Sequence, residues 1–97
     1  MKIEEFGNTI GYSGSSSIVD KGNLKRYGRL SIQDLLDKGL YKAAFSKALY
    51  EEDQDGQERV LSTYNQVSDS QYSSVLDLKR LFGVYEVPEG ISRVKLI

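Results

Sequence analysis

The side chains that most often carry out chemistry are missing from this chain. It contains no histidine and no cysteine. The commonest general base, the commonest zinc ligand, a thiolate nucleophile and a disulfide framework are therefore all excluded. Three stretches still hold residues of chemical interest. They are a Gly/Ser segment near the start, a basic run at residues 21–29 and an acidic run at residues 51–62.

The first is Gly11-Tyr12-Ser13-Gly14-Ser15. A phosphate-binding loop needs G-x-x-x-x-G-K-[ST], because a lysine must reach the phosphates, and no lysine stands there. A nucleophile elbow needs G-x-S-x-G, but Ser15 occupies the last glycine position and the chain offers Ser13 no imidazole. The stretch is expected to be a turn. In the acidic run, Asp53, Asp55 and Gly56 match three positions of an EF-hand calcium loop. Glu51 stands where Asp is wanted, Glu58 replaces the apolar residue, and Ser62 replaces the closing bidentate Glu. An acidic turn between helices, ending at Gly56, explains the same residues. The expectation is a protein that is not an enzyme and holds no cofactor and no metal.

The basic run interleaves Lys21, Lys25, Arg26 and Arg29 with Tyr27. Cations can grip a phosphate backbone while an aromatic ring stacks on a base. The plain alternative is a solvated loop whose cations offset the acids at 51–58.

The elements that must position these residues centre on Ser31 to Tyr50, the densest apolar run. Ser31 precedes it as an N-cap, with Asp34 three residues on, and Leu30 can staple to Leu35. Leu40, Tyr41, Ala44, Phe45, Ala48 and Leu49 share one half of a helix, with Lys42, Ser46 and Lys47 opposite. Ile32, Leu35 and Leu36 fall out of phase with that face. Gly39, where the phase changes, predicts a break or sharp kink. The competing expectation is one long helix buried nearly all round, which a chain this short has little material to wrap.

Residues 1–30 hold five of the nine glycines. Short β-compatible pieces lie between them at 2–6, 9–12, 17–20 and 24–27. They predict either a ragged sheet edge or a mobile arm that orders on binding. Downstream, residues 57–66 predict a short helix with Val60, Leu61 and Tyr64 inward. Ser68, with Gln71 three residues later, predicts the cap of a further helix over 68–82. Its apolar side would be Tyr72, Val75, Leu76, Leu78 and Phe82, and Gly83 would end it. Lys79 and Arg80 in the last turn complement the helix dipole. Pro88-Glu89-Gly90 between two β-favouring runs predicts a C-terminal β-hairpin over 84–97.

The whole is expected to be one α+β domain over 1–97. It would have a Gly/Ser-rich strand or arm segment at 1–30, a core of three to four short helices at 31–82, and the hairpin. At 97 residues and 39% apolar content, stability is expected to be modest or shared with a partner. No run approaches the roughly 18 apolar residues of a membrane span. The first residues lack the apolar stretch of a signal peptide. The expected location is the cytoplasm.

Net charge of −1 gives no overall pull toward nucleic acid or anionic lipid. Seven tyrosines beside three phenylalanines and no tryptophan suit contact surfaces, although most should edge the core. Two functions fit this pattern. One is a non-catalytic protein-binding module: a small regulator, inhibitor or assembly component of the sort mobile elements encode, with a protein partner or self-association. The alternative is a nucleic-acid-binding regulator with the element order of a winged helix. There the 68–82 helix would present Ser70, Gln71, Ser73 and Ser74, Arg93 and Lys95 would sit on the wing, and the 21–29 segment would add backbone contacts.

Overall fold

The computed structural model describes residues 1–97. Six helices and three strands run in the order α1 (Ile3–Gly7), β1 (Thr9–Ser13), β2 (Ser16–Val19), α2 (Lys21–Tyr27), α3 (Ile32–Asp37), α4 (Tyr41–Tyr50), α5 (Gln54–Ser68), α6 (Val75–Phe82) and β3 (Arg93–Leu96). The architecture is α+β, and four of the helices lie between residues 31 and 82.

Ser31 caps α3 as its context predicts, its hydroxyl accepting the Asp34 N–H at 3.1 Å. The break at Gly39 is also present. Gly39 adopts φ +74°, a left-handed conformation open to glycine without a Cβ penalty. The N–H of Gly39 donates to the Leu36 carbonyl at 3.0 Å and that of Leu40 to Leu35 at 2.9 Å. This pair of bonds satisfies two of the free carbonyls at the end of α3 and turns the chain into α4.

Helix α4 is the centre. It packs against α1, α3 and α5, and Ala44, Phe45 and Ala48 are fully buried. These three join Ile32, Leu35, Leu36, Val60, Leu61 and Leu78 in one apolar cluster. Ser46, on the side expected to face water, is buried as well. Lys47 is half-buried there, its ammonium donating to the Leu30 carbonyl at 2.8 Å. The helix is thus broken at Gly39 and still wrapped, because residues 1–30 supply the missing layer.

That layer corrects two of the four expected strand pieces. The piece at 2–6 is instead the cap and body of α1, where the Glu5 carboxylate accepts the Lys2 N–H at 2.7 Å and Phe6 is buried. Residues 24–27 belong to α2, capped by Asp20, whose carboxylate accepts the Asn23 N–H at 2.9 Å. In both, a carboxylate takes up a free N–H at the helix start, Glu5 from the third position of α1 and Asp20 as the N-cap of α2, and this outweighs weak helix formers. The other two pieces are strands. β1 and β2 pair antiparallel from Thr9↔Val19 to Ser13↔Ser16, with a bulge at Ile10. Gly14 takes the first central position of the two-residue turn at φ +58°, where a hairpin of this length favours glycine.

The C-terminal hairpin is not formed. Residues 84–87 make no strand, and β3 adds to β2 in parallel, from Ser16↔Arg93 to Val19↔Leu96. Sheet order is β1-β2-β3. An isolated two-stranded hairpin is marginal in water, whereas β2 offers a ladder edge whose Ser17 and Val19 are already buried. The helix-then-hairpin order of a winged helix is therefore absent.

The helix expected over 68–82 is also corrected. α5 runs from Gln54 through Ser68 and is capped by Asp53, whose carboxylate accepts the Gly56 N–H at 2.8 Å. It is longer than the predicted 57–66. Gly56 thus lies inside its first turn, not at the end of the acidic turn. The Ser68 hydroxyl donates back to the Tyr64 carbonyl at 2.5 Å rather than capping the next helix. Asp69 then turns left-handed at φ 54°. The Asn65 side chain grips the Tyr72 backbone twice, at 2.8 and 3.0 Å, holding the loop back on α5. The true cap of α6 is Ser74, and the Asp77 carboxylate answers by accepting the Ser73 N–H at 3.1 Å. That backbone bond, aided by the Ser73 and Ser74 groups and by Arg80, holds the Asp77 carboxyl below its ordinary pKa. Val75, Leu78 and Phe82 face the core from α6, but Leu76 is exposed.

Candidate functional site

Two surfaces bring together residues that could meet a partner. The first lies beside β1. β1 pairs with β2 on one edge only, and a groove of about 220 Å³ runs between it, α4 and the segment after α6. Its walls include Ile10 and Tyr12 from β1, Lys42 and Ser46 from α4, and Val84 and Tyr85 past Gly83. A second hollow of about 310 Å³ shares Thr9, Ile10 and Lys42 with it. No residue of β2 lines either, and both have β1 on one wall and α4 on another.

The tyrosines show what is unusual here. Tyr27, Tyr41, Tyr64 and Tyr72 pack at the margin of the core. Tyr64 meets Tyr41 and Phe82 edge-on, at 5.3 and 5.7 Å between ring centres. Tyr50 leans on Phe6 and donates its hydroxyl to the Met1 carbonyl at 2.8 Å. Only Tyr12 and Tyr85 are exposed, at 47% and 54%, and they line the same groove with Ile10, exposed at 59%. Burial raises the Tyr12 hydroxyl above its ordinary pKa, with a Thr9 hydrogen bond opposing. The group stays a neutral donor and acceptor at physiological pH.

Comparison of the chain with protein-family models, curated proteins and solved structures finds no match.

The second surface is a cleft of about 500 Å³ between α1 and α2. It gathers Lys25, Arg26 and Arg29 from the basic run and adds Lys2. Tyr27 does not join them. It lines the hollow beside β1 and packs on the core, so no aromatic ring stands among the cations. Lys21 is exposed in the first turn of α2, where its backbone N–H holds the Ile97 carbonyl at 3.1 Å. Ser70, Gln71, Ser73 and Ser74 lie in the loop between α5 and α6, and do not form one helical face. Arg93 and Lys95 are exposed on β3.

In the acidic run, Asp53 is spent on the α5 cap and Asp55 sits in the first turn of that helix. Gly56 is required at close quarters: a Cβ there would stand 2.6 Å from the Asp53 carboxylate and 3.1 Å from Ile32. The whole molecule contains no helix long and apolar enough to cross a membrane.

Sequence reasoning missed Ile10, Tyr12, Lys42 and Tyr85 as a group and Lys2 as a neighbour of the basic run. The alternation of Ile10 and Tyr12 about Gly11 marks a strand, but nothing local says that its outer edge stays unpaired.

Proposed function

We propose that this chain is a non-catalytic protein-binding module, a small cytoplasmic regulator, inhibitor or assembly component, that receives its partner along the outer side of β1. The observation that carries this reading is the convergence of three exposed apolar side chains, two of them tyrosines, on one groove beside an open strand edge. Tyrosine brings a large rigid contact area with a polar tip, and it concentrates at protein interfaces. An open edge offers main-chain hydrogen bonds to an extended segment, while the groove beside it can select side chains. The bulge at Ile10 disrupts the ladder locally and guards the edge against indiscriminate pairing. Lys42 and Glu86 on the walls supply charges that fix register more than affinity.

Ile10→Asp and Tyr85→Asp test this reading, because both side chains are more than half exposed, where substitutions usually change stability by about 0.5 kcal/mol or less. Tagged copies are recovered from the native cell beside the unaltered chain and a Val67→Asp control, also exposed but outside the groove. The expected result is a defined protein held by the unaltered chain and the control, and lost about tenfold or more from both groove variants. That loss corresponds to about 1.4 kcal/mol or more. Equal recovery by all four would overturn the assignment of the groove.

A further inference from the structure

We propose that the cleft between α1 and α2 is a binding site for a phosphate-bearing ligand, separate from the β1 groove. Four cations converge on it from three segments: Lys2 ahead of α1, Lys25 and Arg26 in the last turn of α2, and Arg29 in the linker to α3. All four are exposed. Lys47 is the one basic side chain that donates a hydrogen bond inside the chain, so these four keep their donors for an outside acceptor. Two carboxylates, Glu4 and Glu5, also line the cleft. Glu5 is occupied by the Lys2 N–H, and four cations against two acids leave a local charge of +2.

A competing account assigns the cations to the dipole of α2. It suits Lys25 and Arg26, which sit in the last turn. It does not reach Lys2, which comes from ahead of α1 and shares the cleft. Arginine forks match the oxygens of phosphate in pairs. The cavity, at about 500 Å³, is in the size range of small-ligand sites.

The remaining walls are informative about which part of a ligand is recognised. Leu24 and Leu30 are the apolar residues of the cleft, and Tyr27 faces other cavities. A base would find no ring to stack on. The site therefore reads phosphate without reading sequence. The phosphate could belong to a small molecule or to a nucleic-acid backbone.

Amide NMR titration of the full chain separates these sources. One arm uses inorganic phosphate and the other a single strand of about 12 nucleotides, at about 50 mM salt. The expected result is a saturable shift centred on residues 2–5 and 24–30. It is weakened about tenfold or more by Lys25→Ala with Arg29→Ala, and unchanged by Arg59→Ala with Arg80→Ala. Response to phosphate alone identifies a small ligand. Tighter binding of the strand identifies a backbone. With at most four contacts the strand's affinity should then fall about 50-fold between 50 and 200 mM salt. Absence of a saturable shift in both arms, or shifts spread equally over Lys38, Lys42 and Arg59, overturns the proposal.

Discussion

Replacing Phe45 by alanine should lower the free energy of unfolding by about 3–5 kcal/mol. The ring is fully buried in α4, 5.8 Å from the ring of Phe82, and belongs to the cluster that joins α3, α4, α5 and α6. Removing it takes away the transfer free energy of the ring and leaves a hole whose walls come from four helices. Those walls cannot collapse together without disturbing one another. A small domain has only about 5–15 kcal/mol in total, so the variant should lose a large part of its margin. Urea unfolding followed by circular dichroism checks this, with the slope unchanged and the midpoint moved down. A loss under about 1 kcal/mol would mean that α4 is not the organising helix.

Val19→Asp should cost at least about 3 kcal/mol, for a different reason. Val19 is fully buried, paired with Thr9 on one side and Leu96 on the other. A carboxylate there loses its water and gains no partner, which is among the few mechanisms that give large single-site effects. The same urea measurement reads it. The result also decides how residues 1–30 relate to the rest. If they were an appended arm, a substitution in β2 would act like one on a surface and change stability by about 0.5 kcal/mol or less.

These two positions mark the boundary of what the sequence makes legible. The helical middle can be read because its signals are local. The Ser31 cap, the apolar face through Phe45 and the reversal at Gly39 each act within one or two turns. Ser68 shows how a local signal misleads. Its spacing to Gln71 fits a cap, but the hydroxyl turns back to Tyr64, and the competing Ser74–Asp77 cap starts α6 instead. The tail misleads on a longer scale. Pro88-Glu89-Gly90 suits a turn between paired strands, yet Arg93–Leu96 finds a better neighbour in β2, more than 70 residues earlier. No periodicity reports a pairing at that separation. The helices at 3–7 and 21–27 are short, and their glycines and polar residues favour other states until α1 packs on α4 and α2 on α1.

The candidate site was less legible than the fold. The composition pointed to tyrosine as a contact residue without distinguishing the two exposed rings from the five at the core margin. The basic run was visible as charge, but its partner Lys2 lies about 20 residues away and joins it only through the packing of α1 on α2. Ser70, Gln71 and Ser74 share no helical face, because they occupy the loop between α5 and α6.

The central claim is that this protein works by contact along the outer side of β1. A photoreactive phenylalanine analogue at position 12, illuminated in the native cell, tests it most directly, with the same analogue at position 67 as the comparison. The account predicts a discrete cross-linked protein from position 12, absent from position 67 and diminished when Tyr85→Asp is added. Adducts from position 67 but none from position 12 would contradict it.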